Sequence, residues 1–257
     1  MPFRSPIIIL GNQKSGTTAI ASLLADYGKL TKTLDIPEMW GCERDLHAGT
    51  LAFQTFVENF PHRFSTQVIK EPCLTYLDEK CMAVFSSSPY VFIIRHPVDN
   101  IRSILDRLKI PGNQDYIDLN NYEMNNTWAY VMNGQLLNIN HDHYIARLAL
   151  RWVMAAEIYL KHKQQMKLVR YEDFMESKYG TIQRVAESLG VPQKKDIEPL
   201  LHVQYQQQGK NRGTPSIDFF GEKNLSMIYG ICDNYLKLFD YYRRVAIADN
   251  RASDNIS

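Results

Sequence analysis

Four short apolar runs punctuate the chain at residues 7–10, 67–70, 90–95 and 167–170, and each leads into a stretch of helical spacing. Continuous apolar runs of this length read as strands buried on both faces, and their alternation with helices predicts a parallel sheet. The first helix is expected over residues 15–27, with Ile20, Leu23, Leu24 and Tyr27 on one face and Gly28 as its stop. A second, over residues 49–59, presents Leu51, Phe53, Phe56 and Val57, with Phe60 just beyond. A third starts near Pro97 and repeats apolar side chains at Val98, Ile101, Ile104, Leu105 and Leu108. The longest periodic stretch, residues 142–163, carries Ile145, Leu148, Ala149, Trp152, Ala156 and Tyr159 at helical spacing and predicts a central core helix. Between residues 109 and 140 the pattern lapses: Pro111-Gly112 signals a turn and eight asparagines follow. This segment reads as an insertion, either a lid over a substrate pocket or a solvated surface loop. The expectation is one α/β domain over residues 1–248, a central parallel sheet with helices on both faces, and a flexible tail over residues 249–257.

Composition narrows the partners. The 257 residues are 45% hydrophobic and 22% charged, enough for one sizeable core. A net charge of +1 provides no global field for nucleic acid or an acidic membrane, so any anion site must be local. Cys42, Cys73, Cys81 and Cys232 form no C-x-x-C pair, and nothing before Pro6 resembles a secretion signal, which points to a cytoplasmic protein. The apolar runs fall far short of the roughly 20 residues that span a bilayer. Oligomeric state has no signature in the pattern.

Candidate chemistry concentrates after the first strand. Ile7-Ile8-Ile9-Leu10 runs into Gly11-Asn12-Gln13-Lys14-Ser15-Gly16-Thr17-Thr18, a strand, a glycine-bracketed loop and a helix start. Glycines permit the tight turn, and backbone N–H groups at a helix N-terminus cradle anions. Gly11 and Gly16 have Walker A spacing, but Thr17 stands where that motif carries lysine, and Lys14 lies inside the loop. A lysine there sits beside the first phosphoryl group rather than at a terminal phosphate, which suits transfer from a 5'-phosphosulfate. An ordinary strand-to-helix turn is the plainer reading. The run Tyr90-Val91-Phe92-Ile93-Ile94 ends in Arg95, with Ser103 eight residues on. A strand ending in arginine puts a fork-shaped cation at the carboxyl edge of the sheet, where open α/β sheets bind ligands, although taken alone such an arginine is often a surface charge.

Together these segments resemble the sulfotransferases that use 3'-phosphoadenosine 5'-phosphosulfate (PAPS). Residues 11–18 are similar to that family's 5'-phosphosulfate loop, and Ile94-Arg95-His96-Pro97 through Ser103 to its 3'-phosphate segment, in the same order and spacing. Weaker similarities continue through Val68-Ile69-Lys70-Glu71-Pro72, Val169-Arg170-Tyr171-Glu172-Asp173-Phe174 and Lys210-Asn211-Arg212-Gly213. The resemblance implies that Lys14, Ser15, Gly16, Thr17 and Thr18 hold the 5'-phosphosulfate of PAPS, that Arg95 and Ser103 hold the 3'-phosphate, that Tyr171 lies near adenine, and that Arg212 and Gly213 close over the 3'-phosphate. Sulfuryl transfer, like phosphoryl transfer, builds charge on the leaving oxygen, and Lys14, Lys70 and the helix N-terminus are the groups expected to offset it without a metal. His141 and His143 therefore need no zinc and read as exposed or capping residues.

An acceptor hydroxyl also needs a base. In the carbohydrate-modifying branch a glutamate after the second strand fills this role, and Pro37-Glu38-Met39-Trp40 resembles that site, so Glu38 is the first expectation. Glu71 occupies the region where small-molecule sulfotransferases carry their base, and Glu43 and His47 remain alternatives. The acceptor is expected to be the hydroxyl or amine of a carbohydrate, small molecule or lipid headgroup, with specificity set by residues 35–47 and 109–140. Two other readings stand: a P-loop kinase using ATP and magnesium, and a nucleotide-binding interaction module without catalysis.

Overall fold

A computed structural model describes residues 5–207 and 209–242. Five parallel strands form one sheet: β1 (Ile7–Leu10), β2 (Lys32–Thr33), β3 (Val68–Lys70), β4 (Tyr90–Ile94) and β5 (Met166–Arg170), in the order β2-β3-β1-β4-β5. β1 is central, pairing Ile7 with Val68 on one side and Ile8 with Tyr90 on the other. Pleating sends alternate side chains to opposite faces. Ile8, Leu10, Ile69, Phe92 and Ile94 join the larger core, whereas Ile7, Ile9, Val68, Val91 and Ile93 join the second. Two buried faces explain why the strands read as unbroken apolar runs.

The smaller core is closed by α1 (Thr17–Gly28) and, later in the chain, α9 (Tyr171–Glu176) and α10 (Lys178–Ser188). The larger is covered by α2 (Glu43–Ala48), α3 (Phe53–Asn59), α4 (Pro61–Phe64), α5 (Asp78–Val84), α6 (Pro97–Leu108), α7 (Asn126–Asn133), α8 (Tyr144–His162) and α11 (Ser216–Leu238). α8 is the expected core helix, with Ile145, Leu148, Ala149, Trp152 and Ala156 buried. Its start is capped by His143, whose ring nitrogen accepts from the Ile145 N–H at 3.2 Å.

One expectation is corrected. The helix read over residues 49–59 is shorter, because Gly49 adopts φ +79° as the cap that ends α2, and α3 begins only at Phe53. Within the segment 109–140, expected as an insertion, α7 folds and sends Val131 and Met132 into the larger core. The Asn125 side chain caps α7 by accepting from the Trp128 N–H at 3.1 Å. The tail expected at residues 249–257 lies outside the described residues. Among the described residues no helix is long and apolar enough to cross a membrane, and the four cysteines are unpaired.

Candidate active site

β1 delivers the loop 11–16 to the carboxyl edge of the sheet, and side chains from several elements fix its shape. Gly11 has φ +144°, and a Cβ there would stand 2.4 Å from the Ile93 carbonyl oxygen, so only glycine fits. Gly16, at φ +90°, caps α1, and a Cβ there would meet the Tyr171 ring at 2.3 Å. The Gly11 N–H donates to Thr75 Oγ1 at 2.9 Å, and that hydroxyl donates back to the Gly11 carbonyl at 3.1 Å. Asn100, fully buried on α6, donates to the Gln13 carbonyl at 2.8 Å and to Ser15 Oγ at 3.1 Å. Arg151 on α8 reaches Asn12 Oδ1 at 3.2 Å and Gln13 Oε1 at 2.9 Å, while Tyr76 donates to the same Asn12 oxygen at 2.8 Å. Buried polar groups so satisfied make a loop that is shaped before any ligand arrives.

The loop leaves charge where an anion would sit. α1 opens with no side-chain cap and no acidic residue in its first turn, so its N–H groups and dipole face the loop uncompensated. Lys14 lies in the left-handed region at φ +66°, with Arg95 Nη1 donating to its carbonyl at 3.1 Å. Burial lowers the Lys14 pKa, and the positive charges of Arg107, Arg95 and Lys70 add to this against an opposing pull from Asp106. A cavity of about 290 Å³ opens beside it, at the low end of ligand-pocket volumes of roughly 300–1,000 Å³. Lys14, Gly16, Thr18, Arg95, Ser103, Tyr171 and Arg212 all line it. The Arg95 guanidinium carbon stands 4.7 Å from the Tyr171 ring centroid, so the ring and the fork share one wall.

Other sequence candidates fall elsewhere. Ser15 and Thr17 are buried under the loop, and Gly213 is exposed off the cavity wall. Lys70 is buried at the end of β3, donating to the Leu34 carbonyl at 2.8 Å and to Asp35 Oδ1 at 2.6 Å. Glu38 is not brought to either cavity. Arg63 Nε donates to both of its carboxylate oxygens at 3.0 Å and Nη2 to Oε1 at 2.9 Å, and this clamp holds the carboxyl below its usual range. A carboxylate held by arginine is a weakened proton acceptor, which counts against Glu38 as the base. Glu71 is also engaged, since Oε2 accepts from the Ile36 N–H at 3.0 Å and Oε1 from the Cys73 N–H at 3.1 Å.

Glu43 and His47 do meet, in a second, small cavity of about 10 Å³ reached by Gln13, Cys73, Tyr76, Thr127, Tyr130, Leu137 and Arg151. Glu43 is 3% exposed, and burial raises its carboxyl pKa. His47 is pushed down to about 4 by burial and by the charges of Arg151 and Lys80.

Two further cavity residues, Arg102 and Gln206, were not singled out in the sequence. Arg102 donates to the Thr214 carbonyl at 3.0 Å and to Ser216 Oγ, tying the segment before α11 to α6. Gln206 lies across the loop, accepting from Lys14 Nζ at 3.1 Å and donating to Thr18 Oγ1 at 3.2 Å. Arg102 adjoins Ser103 and so lies within the segment that drew notice, whereas an isolated glutamine in a loop has no pattern to be found by. Among the described residues no group of three or more histidine, cysteine or acidic side chains is placed to hold a metal ion.

A phosphate-cradle loop at the central strand of a doubly covered parallel sheet, with a second arginine site on the same cavity, defines an α/β protein of the P-loop type. The sequence model described as the sulfotransferase domain matches residues 4–216, and the chain belongs to that family, whose reaction is sulfuryl transfer. Among solved structures, sulfotransferase STF9 from Mycobacterium avium is 13% identical, with 93% of this chain and 78% of that one covered and a TM-score of 0.55, which shows the shared fold. The sulfotransferase domain from the curacin biosynthetic pathway is 15% identical over 90% of this chain and 96% of that one, with a TM-score of 0.47. Retinol dehydratase in complex with androsterone and the inactive cofactor PAP is 16% identical over 92% and 82%, with a TM-score of 0.47. No curated protein matches.

Proposed function

We propose that this sulfotransferase takes its sulfuryl group from PAPS and delivers it to the hydroxyl or amine of a small molecule, releasing adenosine 3',5'-bisphosphate. The observation that carries this reading is the lining of one cavity by both the Lys14 loop and the Arg95, Ser103 and Arg212 cluster. A nucleotide phosphorylated at both ends of its ribose needs two separate cation sites, and a triphosphate needs one continuous track. In this reading Lys14, Thr18 and the N–H groups opening α1 hold the 5'-phosphosulfate. Arg95, Ser103 and Arg212 hold the 3'-phosphate, and Tyr171 lies against the base. The acceptor oxygen attacks sulfur in line, the sulfur–oxygen bond to the 5'-phosphate breaks, and the electron pair leaves on the phosphate oxygen. Lys14 and the α1 dipole face the charge that develops there, and Lys70 adds its field from the end of β3.

The kinase reading finds less support. Thr17 replaces the lysine that would reach a terminal phosphate, and β4 runs into Arg95 where a magnesium-binding aspartate would be wanted. A small-molecule acceptor is favoured over a carbohydrate chain or lipid headgroup because α7 and the turn at Gln135–Leu137 close over the small cavity. Four unpaired cysteines accord with a reducing, cytoplasmic setting. The test is a screen of alcohols, phenols and amines with labelled PAPS, read by mass gain of one sulfuryl group. Lys14→Ala is expected to lower turnover roughly 10²- to 10³-fold while weakening adenosine bisphosphate binding far less. Equal losses in both would remove Lys14 from the reacting centre.

A further inference from the structure

We propose that Glu43 is the catalytic base, and that the small cavity it borders is where the acceptor's reacting hydroxyl docks. This rests on the sulfuryl-transfer reading with PAPS as donor. Among the described carboxylates, Glu43 is the one with a fully buried oxygen that no hydrogen bond within the protein satisfies. Its Oε1 accepts from Cys73 Sγ at 2.7 Å and from Thr127 Oγ1 at 3.2 Å, while Oε2, buried, has no partner within the protein. A buried carboxylate oxygen without a donor is costly, and native structures keep such groups where a ligand or reacting proton completes them. The two contacts to Oε1 fix the plane of the carboxyl, which leaves Oε2 set for a third partner. Cys73 also touches the loop, with Gln13 Nε2 3.9 Å from its sulfur, so the free oxygen is two side chains from the phosphosulfate cradle.

The groups facing Glu43 complete the case. Glu71 from the end of β3 pushes its pKa up, Arg151 from α8 pulls it down, and Cys73 and Thr127 donate to it. Burial is the largest influence and raises it, bringing the carboxylate nearer the pH at which a base serves a hydroxyl. The Cys73 thiol is pushed well up by burial and by Glu71 and Glu43, so it stays a donor and not a nucleophile. His47 on the same wall is neutral but too weak a base with its pKa near 4. The cavity itself, about 10 Å³, has room for about one water or one hydroxyl. The rest of an acceptor must enter by displacing the wall that Thr127, Tyr130 and Leu137 form.

In the step, the acceptor O–H bond breaks with its proton going to Glu43 Oε2, and the oxygen–sulfur bond forms. The sulfur–phosphate oxygen bond breaks with its electron pair leaving on adenosine 3',5'-bisphosphate beside Lys14. Without an acceptor, one water occupies the same place and the reaction is slow PAPS hydrolysis, which gives a test that needs no known acceptor. Wild type, E43Q, E43D and E38Q are incubated with PAPS alone, and bisphosphate release is followed from pH 4.5 to 8, beside titration of adenosine 3',5'-bisphosphate into each. The amide of the E43Q variant retains an oxygen that accepts from Cys73 and Thr127. E43Q is expected to hydrolyse on the order of 10²-fold more slowly and to lose the acidic limb of the pH profile. E43D is expected to recover part of the rate, E38Q to stay within about twofold of wild type, and all four to bind the bisphosphate alike. Hydrolysis by E43Q at the wild-type rate, or a wild-type rate no faster than buffer despite tight bisphosphate binding, would overturn Glu43 as base. Absence of bisphosphate binding in wild type would instead overturn the donor reading beneath it.

Discussion

Lys14 and Gly16 show how single residues set the cradle. Lys14 accepts a left-handed backbone, at φ +66°, that turns its chain into the loop and places its carbonyl under Arg95. Gly16→Ala would drive a methyl group into the Tyr171 ring, so at least tenfold weaker binding of adenosine 3',5'-bisphosphate is expected, together with a stability loss of about 1–3 kcal/mol because alanine is strained at φ +90°. Gly11→Ala is different in kind. Its Cβ would strike the Ile93 carbonyl oxygen inside the sheet, and a loss of about 2–3 kcal/mol in chemical denaturation is expected. His47 supplies a pH test. Its folded pKa of about 4 lies below the unfolded value, so the unfolded chain binds more protons between pH 4 and about 6.5. Stability should therefore fall as pH drops through that window, and His47→Gln should flatten the melting temperature across it. At this scale the glycines, Lys14 and Arg95 were legible because spacing marks them. Gln206 and Asn100 were not, because their partners lie 192 and 85 to 88 positions away in sequence.

Elements with one clean apolar stripe were legible, and those whose burial depends on neighbours were less so. α6 and α8 sit where periodicity put them, within two residues at either end. β2 is only Lys32–Thr33, too short for any pattern, and is defined by pairing with β3. α7 was hidden among asparagines, and only the packing of Val131 and Met132 against the larger core reveals it. The α6 contribution can be measured through Asn100, which buttresses the loop from beneath. Asn100→Ala leaves the Gln13 carbonyl and Asn12 amide without partners, at a cost of about 1–3 kcal/mol for each buried group left unsatisfied. Weaker bisphosphate binding should accompany the lower stability. Asn100→Ala with unchanged denaturation and binding would show that the loop holds its shape without α6.

The whole molecule joins the sites through its topology. β1 at the centre of the β2-β3-β1-β4-β5 sheet ends at the loop, β4 beside it ends at Arg95, and β3 on the other side ends at Lys70. Chain order alone could not give this strand order, yet it is what sets the Arg95 side and the Glu43 side on opposite flanks of one loop. Glu38 illustrates the limit: the Arg63 that clamps it comes from α4, after two helices, α2 and α3, have intervened. The central claim, a donor nucleotide with phosphates at both ends, is tested most directly by calorimetric titration of adenosine 3',5'-bisphosphate and of adenosine 5'-monophosphate into the full chain and into Arg95→Ala. The account predicts that wild type binds the bisphosphate about 10- to 100-fold more tightly, and that Arg95→Ala removes most of that preference. Equal affinities for the two nucleotides in wild type, or no binding of the bisphosphate at millimolar concentration, would contradict it.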